Sequence, residues 1–139
     1  MRKSKEGQAT LAFVLLVSGI IIEIAIAGSA VTYFLSTSGF GEKLSTRALA
    51  AAHAGVRDVQ LKISRNKEFG ANNYPLAVGS DSANVTTVWS TDVANDNYTY
   101  TVTSIGTAST RQRKLVAIMV VNQTTGFLQL QSLIEQPLQ

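Results

Sequence analysis

Arg111, Arg113 and Lys114 crowd the entry of one stretch, and Tyr98 and Tyr100 stand in the stretch before it. Cations beside aromatic rings can contact phosphates and stack on bases, so extracellular DNA or another anionic surface ligand is one chemistry on offer. Charges placed along an edge strand also deter unwanted pairing, and that plainer role competes with the first. Catalysis has less to draw on. His53 is the one histidine, cysteine is absent, and Glu42, Asp58, Glu68, Asp81, Asp92, Asp96 and Glu135 are scattered singly. Nothing here has nucleophile–base or metal-ligand spacing, so no enzyme, metal or cofactor is predicted. Asp81, Asp92, Asn95, Asp96 and Asn97 lack the Gly and terminal Glu of a calcium loop, and read as turn residues. Asn84, Asn97 and Asn122 begin N-x-Thr sequons, which matter only in a host that glycosylates extracellular Asn.

The elements that must carry these residues begin with an apolar run. Residues 8–35 contain one charged side chain, Glu23, behind a basic head that holds Arg2, Lys3 and Lys5. As a helix the run measures roughly 42 Å, enough to cross a hydrocarbon core of about 30 Å. The head is a positive-inside signal, which puts the N-terminus in the cytoplasm and the C-terminal part outside. It also accounts for much of the basicity: without residues 1–7 the net charge falls from +3 to +1. Three readings compete for the run. A secretory signal would use Ala25-Ile-Ala27 for cleavage, but the run is long for that and contains Glu23. A plain single-span anchor is the second. The third is a segment clipped in front of its apolar part, between Gly7 and Gln8, which first rests in lipid and later packs among identical helices. Gly19, Gly28 and the many Ala and Ser residues favour close helix packing. A carboxylate near the bilayer centre costs about 3 kcal/mol, so Glu23 is expected to meet a polar or cationic group on a neighbour.

Residues 36–41 contain two glycines and three hydroxyl side chains, and predict a kink or unwound turn. Helix then resumes to about residue 66, with Asn66 and Gly70 as stop signals. Leu44, Ala48, Ala51, Ala52, Val56, Val59 and Ile63 recur at three- and four-residue steps and share one face, with Lys43, Arg47, His53, Arg57 and Arg65 elsewhere. Residues 70–82 are rich in Gly, Asn, Pro and Ser and read as a loop. Period-2 runs follow at 83–90, 98–105, 111–121 and 127–134, separated by Gly/Asn turns. The fold expected is α+β: a long N-terminal helix, transmembrane and then amphipathic, against an antiparallel sheet of about four strands. Its parts are a leader at 1–7, a membrane helix at 8–35, an amphipathic extension at 36–69 and a β-domain at 70–139.

Taken together, the chain resembles the type IV pilin and pseudopilin superfamily, closest to minor-pilin-like members. The resemblance rests on Lys5-Glu-Gly7 before Gln8, on the long N-terminal helix, and on the Thr-rich hairpin stretch 98–116 with Ser104-Ile-Gly106 and a basic strand entry. It implies a pilin-like roll and cleavage after Gly7 by a prepilin peptidase, with methylation of the new Gln8 amine. It further implies an inner-membrane assembly platform and a surface filament built with other pilin subunits for adhesion, DNA uptake, motility or secretion. Family members usually carry Glu at the fifth mature position. Here that residue is Ala12, which points to a minor, tip or initiating subunit.

Overall fold

The structure, a computed structural model, describes the backbone of residues 4–138 and the side chains of residues 10–138. It is an α+β protein with one long helix, α1 (Ser4–Arg65), and five strands: β1 (Asn72–Val78), β2 (Asp81–Asp92), β3 (Asn97–Ala108), β4 (Arg111–Asn122) and β5 (Leu128–Gln136). Two compact units divide the chain, Met1–Phe40 and Gly41–Gln139.

In the first unit the backbone is helical from Ser4 onward, including residues 36–40. The unwound turn expected at 36–41 is absent. Glycine costs a helix about 1 kcal/mol relative to alanine, too little to interrupt one already nucleated on both sides. The hydroxyls that could compete for the backbone fold back instead. Ser29, Thr32 and Thr37 donate to the carbonyls of Ala25, Gly28 and Tyr33, each at 2.9 Å. This is the one described helix long and apolar enough to cross a membrane, and its most apolar window is wholly unburied.

In the second unit the remainder of α1 lies on an antiparallel sheet whose strands follow chain order, β1-β2-β3-β4-β5. The seven apolar residues that share a helix face, Leu44 through Ile63, are all buried. Ala52, Val56, Val59 and Ile63 form one core cluster with Ala83 and Val85 of β2, Tyr100 and Val102 of β3, and Leu115, Ala117, Met119 and Val121 of β4. Two glycines set how closely helix and sheet approach. A Cβ on Gly106 would fall 2.0 Å from the Ala48 carbonyl oxygen, and one on Gly55 would fall 2.3 Å from Ser104 Oγ. Gly106 therefore sits inside β3 and admits the helix backbone, rather than opening the turn expected after residue 105. The turn proper is at Ser109, whose φ is +53°.

The sheet has one strand more than expected. Residues 72–78, within the predicted loop, form β1, with Tyr74, Leu76 and Val78 turned inward at period 2. Pro75 is tolerated because β1 is an edge and bonds on one side only. The loop shrinks to the tight turn at Gly79, whose φ is +62°. Arg47 on the helix clamps this turn, donating to both Asp81 carboxylate oxygens at 3.0 and 2.7 Å and to Ser80 Oγ at 2.6 Å.

Candidate functional site

The apolar helix carries the assembly residues expected from the sequence. Cleavage between Gly7 and Gln8 falls where only backbone is described, and Met1 to Lys3 lie outside the described residues altogether. Glu23 is exposed and is the one charged residue between positions 10 and 40. Helical periodicity places Ala12, Gly19, Ala27 and Ala30 around it on one face. Nothing lies within 4 Å of a Cβ built on Gly19 or Gly28, so both positions are open to a neighbour. Gly28 belongs to a different side, where it lines a shallow concavity with Ala25, Ser29, Thr32, Tyr33 and Ser36. The helix thus offers two faces of small residues, one of them bearing the carboxylate.

The basic strand entry is arranged differently from the patch read in the sequence. Arg111 and Arg113 lie on the helix-side face of β4, and Lys114 on the opposite one, because neighbouring residues alternate. Arg113 is occupied: its Nε donates to Ser45 Oγ at 2.7 Å and its Nη1 to Glu135 Oε1 at 2.8 Å. Gly41, Glu42, Ser45, Arg111, Gln112 and Arg113 line the concavity there. β4 is not an edge, although its first residues extend beyond the pairing with β5, which starts at Lys114↔Gln136.

The tyrosines are elsewhere. Arg111 and Arg113 pair with Ala108 and Gly106, whereas Tyr98 and Tyr100 pair with Val121 and Met119. Along β3, Tyr98 and Gly106 are eight residues apart, roughly 27 Å at strand rise. Tyr100 is buried; its hydroxyl donates to the Lys67 carbonyl at 2.7 Å, and Trp89 stacks on its ring at 6.0 Å between centroids. Burial holds the Tyr100 phenol above its ordinary pKa. Tyr98 meets Trp89 edge-on at 4.9 Å. This aromatic cluster closes the end of the helix, and the structure does not bring it to the cations.

One polar constellation was not foreseen. Tyr74 donates to Asp58 Oδ2 at 2.6 Å, and Lys62 Nζ lies 2.9 Å from the same oxygen and 3.5 Å from the centre of the Tyr74 ring. Partial burial pushes the Asp58 carboxyl up, but donation from Lys62 and Tyr74 outweighs it and holds the group below the ordinary carboxylate range. Burial and the facing carboxylate raise the Tyr74 phenol. The i, i+4 spacing of Asp58 and Lys62 was a sequence signal for their pairing. Tyr74 joins them because residues 72–78 form β1 rather than the loop their composition predicts.

The Asp and Asn residues near the other turns serve as turn acceptors. Asp92 Oδ1 takes the amides of Ala94 and Asn95, and Asn122 Oδ1 takes those of Thr124 and Thr125. Asp96 ties the two turns together, accepting from Thr124 Oγ1 at 2.5 Å and from Gln123 N at 2.8 Å. Among the described residues no three His, Cys, Asp or Glu side chains group as metal ligands. His53 lies with Ala50, Ala54 and Arg57 on the outer side of the helix. Comparison with protein-family models, curated proteins and solved structures gives no match.

Proposed function

We propose that this chain is a structural subunit of a type IV pilus or pseudopilus-like filament, cleaved after Gly7 and assembled through its N-terminal helix. The observation that carries the reading is the division of labour within α1. Its first unit leaves Leu11, Phe13, Leu15, Ile22, Ile24 and Phe34 uncovered, while the rest of the same helix is the core element of a β-domain. An uncovered apolar rod requires either lipid or other rods. A filament subunit uses both in turn: lipid before assembly, with the β-domain outside the cell, and sister helices after it. The absence of Glu at position 12 favours a minor or tip position, and Glu23 and the faces around Gly19 and Gly28 are its assembly residues. Prepilin peptidase, the membrane platform and other pilin subunits are its partners in this reading.

Mass spectrometry of the mature N-terminus tests it. Gln8, methylated or free, is expected in sheared surface filaments. Met1 in material confined to the membrane would indicate a plain anchor, and an N-terminus near Ser29 in soluble material would indicate secretory cleavage; either overturns the filament reading.

A further inference from the structure

The sheet outruns the helix that covers it. Leu128, Leu130 and Leu133 of β5 pair with Val121, Met119 and Ala117, so all three lie on the helix-side face. Unlike their buried partners, Leu130 and Leu133 are 41% and 40% exposed. On α1, Leu61, which faces the same concavity as Leu128, is 59% exposed. Arg57, Gln60, Leu61, Ser64 and Leu128 line one concavity, the floor of a gutter between helix and edge strand. Edge strands are usually blunted by Lys or Pro; β1 has Pro75, whereas β5 has neither between Leu128 and Gln136. A bulge at Gln131 and the charge of Glu135 blunt the β5 edge instead, so it is the uncovered leucines on its helix-side face that mark this side as an open apolar surface.

Charge says what covers it. Arg57 is the one charged residue lining the concavity, and it forms no salt bridge with any described residue. The chain's own uncovered apolar helix has the matching inventory: large aliphatics, small residues that permit close approach, and a single carboxylate, Glu23. An apolar helix with one acid suits an apolar gutter with one base, since each charge gains a partner as it leaves water or lipid.

We propose that the gutter beside β5 receives the apolar helix of a second copy of this chain, with Glu23 of the incoming helix paired to Arg57. This rests on the filament reading and specifies one of its contacts. Helix-in-groove docking supplies the apolar area, and the ion pair fixes which turn of the incoming helix stops at the gutter. A slipped register would strand both charges, which makes the pair a device for register more than for affinity.

Charge exchange in the full chain tests it, with sedimentable filament measured per subunit found in the membrane. Glu23→Gln and Arg57→Gln should each enter the membrane normally and assemble about tenfold less. Glu23→Arg and Arg57→Glu should assemble less still, and the Glu23→Arg/Arg57→Glu exchange should recover most of the wild-type yield. Wild-type assembly by both Gln variants overturns the pairing, as does an exchange variant no better than its parents. Those results leave the filament reading intact provided the unaltered chain sediments as filaments. Failure of the unaltered chain to assemble sinks the filament reading and the pairing together.

Discussion

The α-carbon of Gly55 faces the hydroxyl of Ser104 so closely that a methyl placed there would lie 2.3 Å from the oxygen and 2.8 Å from Val85 Cγ2. Ser104 Oγ is buried and has no hydrogen-bond partner among the described residues. The helix and the sheet therefore touch through a seam of small residues in which one polar atom is left unpaired.

Gly55→Ala should be destabilising even though alanine is the better helix former. The intrinsic gain is about 1 kcal/mol, against about 1–3 kcal/mol for forcing a methyl into a closed seam. A fall in the melting temperature of the isolated domain is expected. Ser104→Ala removes an unsatisfied hydroxyl and should be neutral or stabilising. The double variant should recover part of the Gly55→Ala loss, since the two sites are in contact and do not add. Calorimetry of the four proteins closes the cycle.

Gly106→Ala should be worse than either. There the obstacle is backbone, the Ala48 oxygen at 2.0 Å and the Ala52 nitrogen at 2.4 Å, which no side-chain rotation relieves. Loss of folded domain is expected, read as collapse of near-ultraviolet circular dichroism and rapid proteolysis.

Asp58 gives the domain a pH signature. Its folded pKa is lowered, so its contribution is present above the ordinary value of 3.8 and is lost as pH falls through the folded value. Tyr74 and Lys62 are raised, so theirs are present below 10.0 and 10.5 and are lost as pH rises through the folded values. Denaturant midpoints measured across pH should decline at both extremes. Asp58→Asn should flatten the acid decline and Tyr74→Phe the alkaline one.

Arg47 and Asp81 hold the β1–β2 turn to the helix with a bidentate contact, but the Arg47 side chain is 42% exposed. The expected cost of Arg47→Ala is accordingly about 1 kcal/mol. Hydrogen exchange should accelerate in β1 and the adjoining half of β2 while β3 and β4 stay protected. Arg47→Lys should restore little, because a point charge cannot reproduce the fork.

The amphipathic half of α1 was fully legible, since burying one face of a helix on a sheet leaves a 3.6-residue period that no other element imitates. Strands β2 to β5 were legible for the same reason at period 2. β1 was missed because Asn72, Asn73 and Pro75 are poor strand formers that only an edge tolerates, and composition outweighed the alternation of Tyr74, Leu76 and Val78. Gly106 was misread as a turn residue because close approach to a helix and a left-handed φ both demand glycine, and sequence alone does not separate them. The basic patch dissolved for a topological reason. Tyr100 and Arg113 belong to consecutive strands but sit toward opposite ends of the β3–β4 pair, and Arg113 is occupied by Ser45 and Glu135.

Because each strand pairs with the one before it in the chain, the sheet requires no long-range closure. Contacts of that kind form quickly, at little entropic cost per step. The β-domain can therefore grow by successive hairpins in the order its residues leave the ribosome, each laid onto a helix already made. β5, with its uncovered leucines, follows β1 to β4 in the chain, so the open apolar margin of the sheet is the last part of the sheet to form.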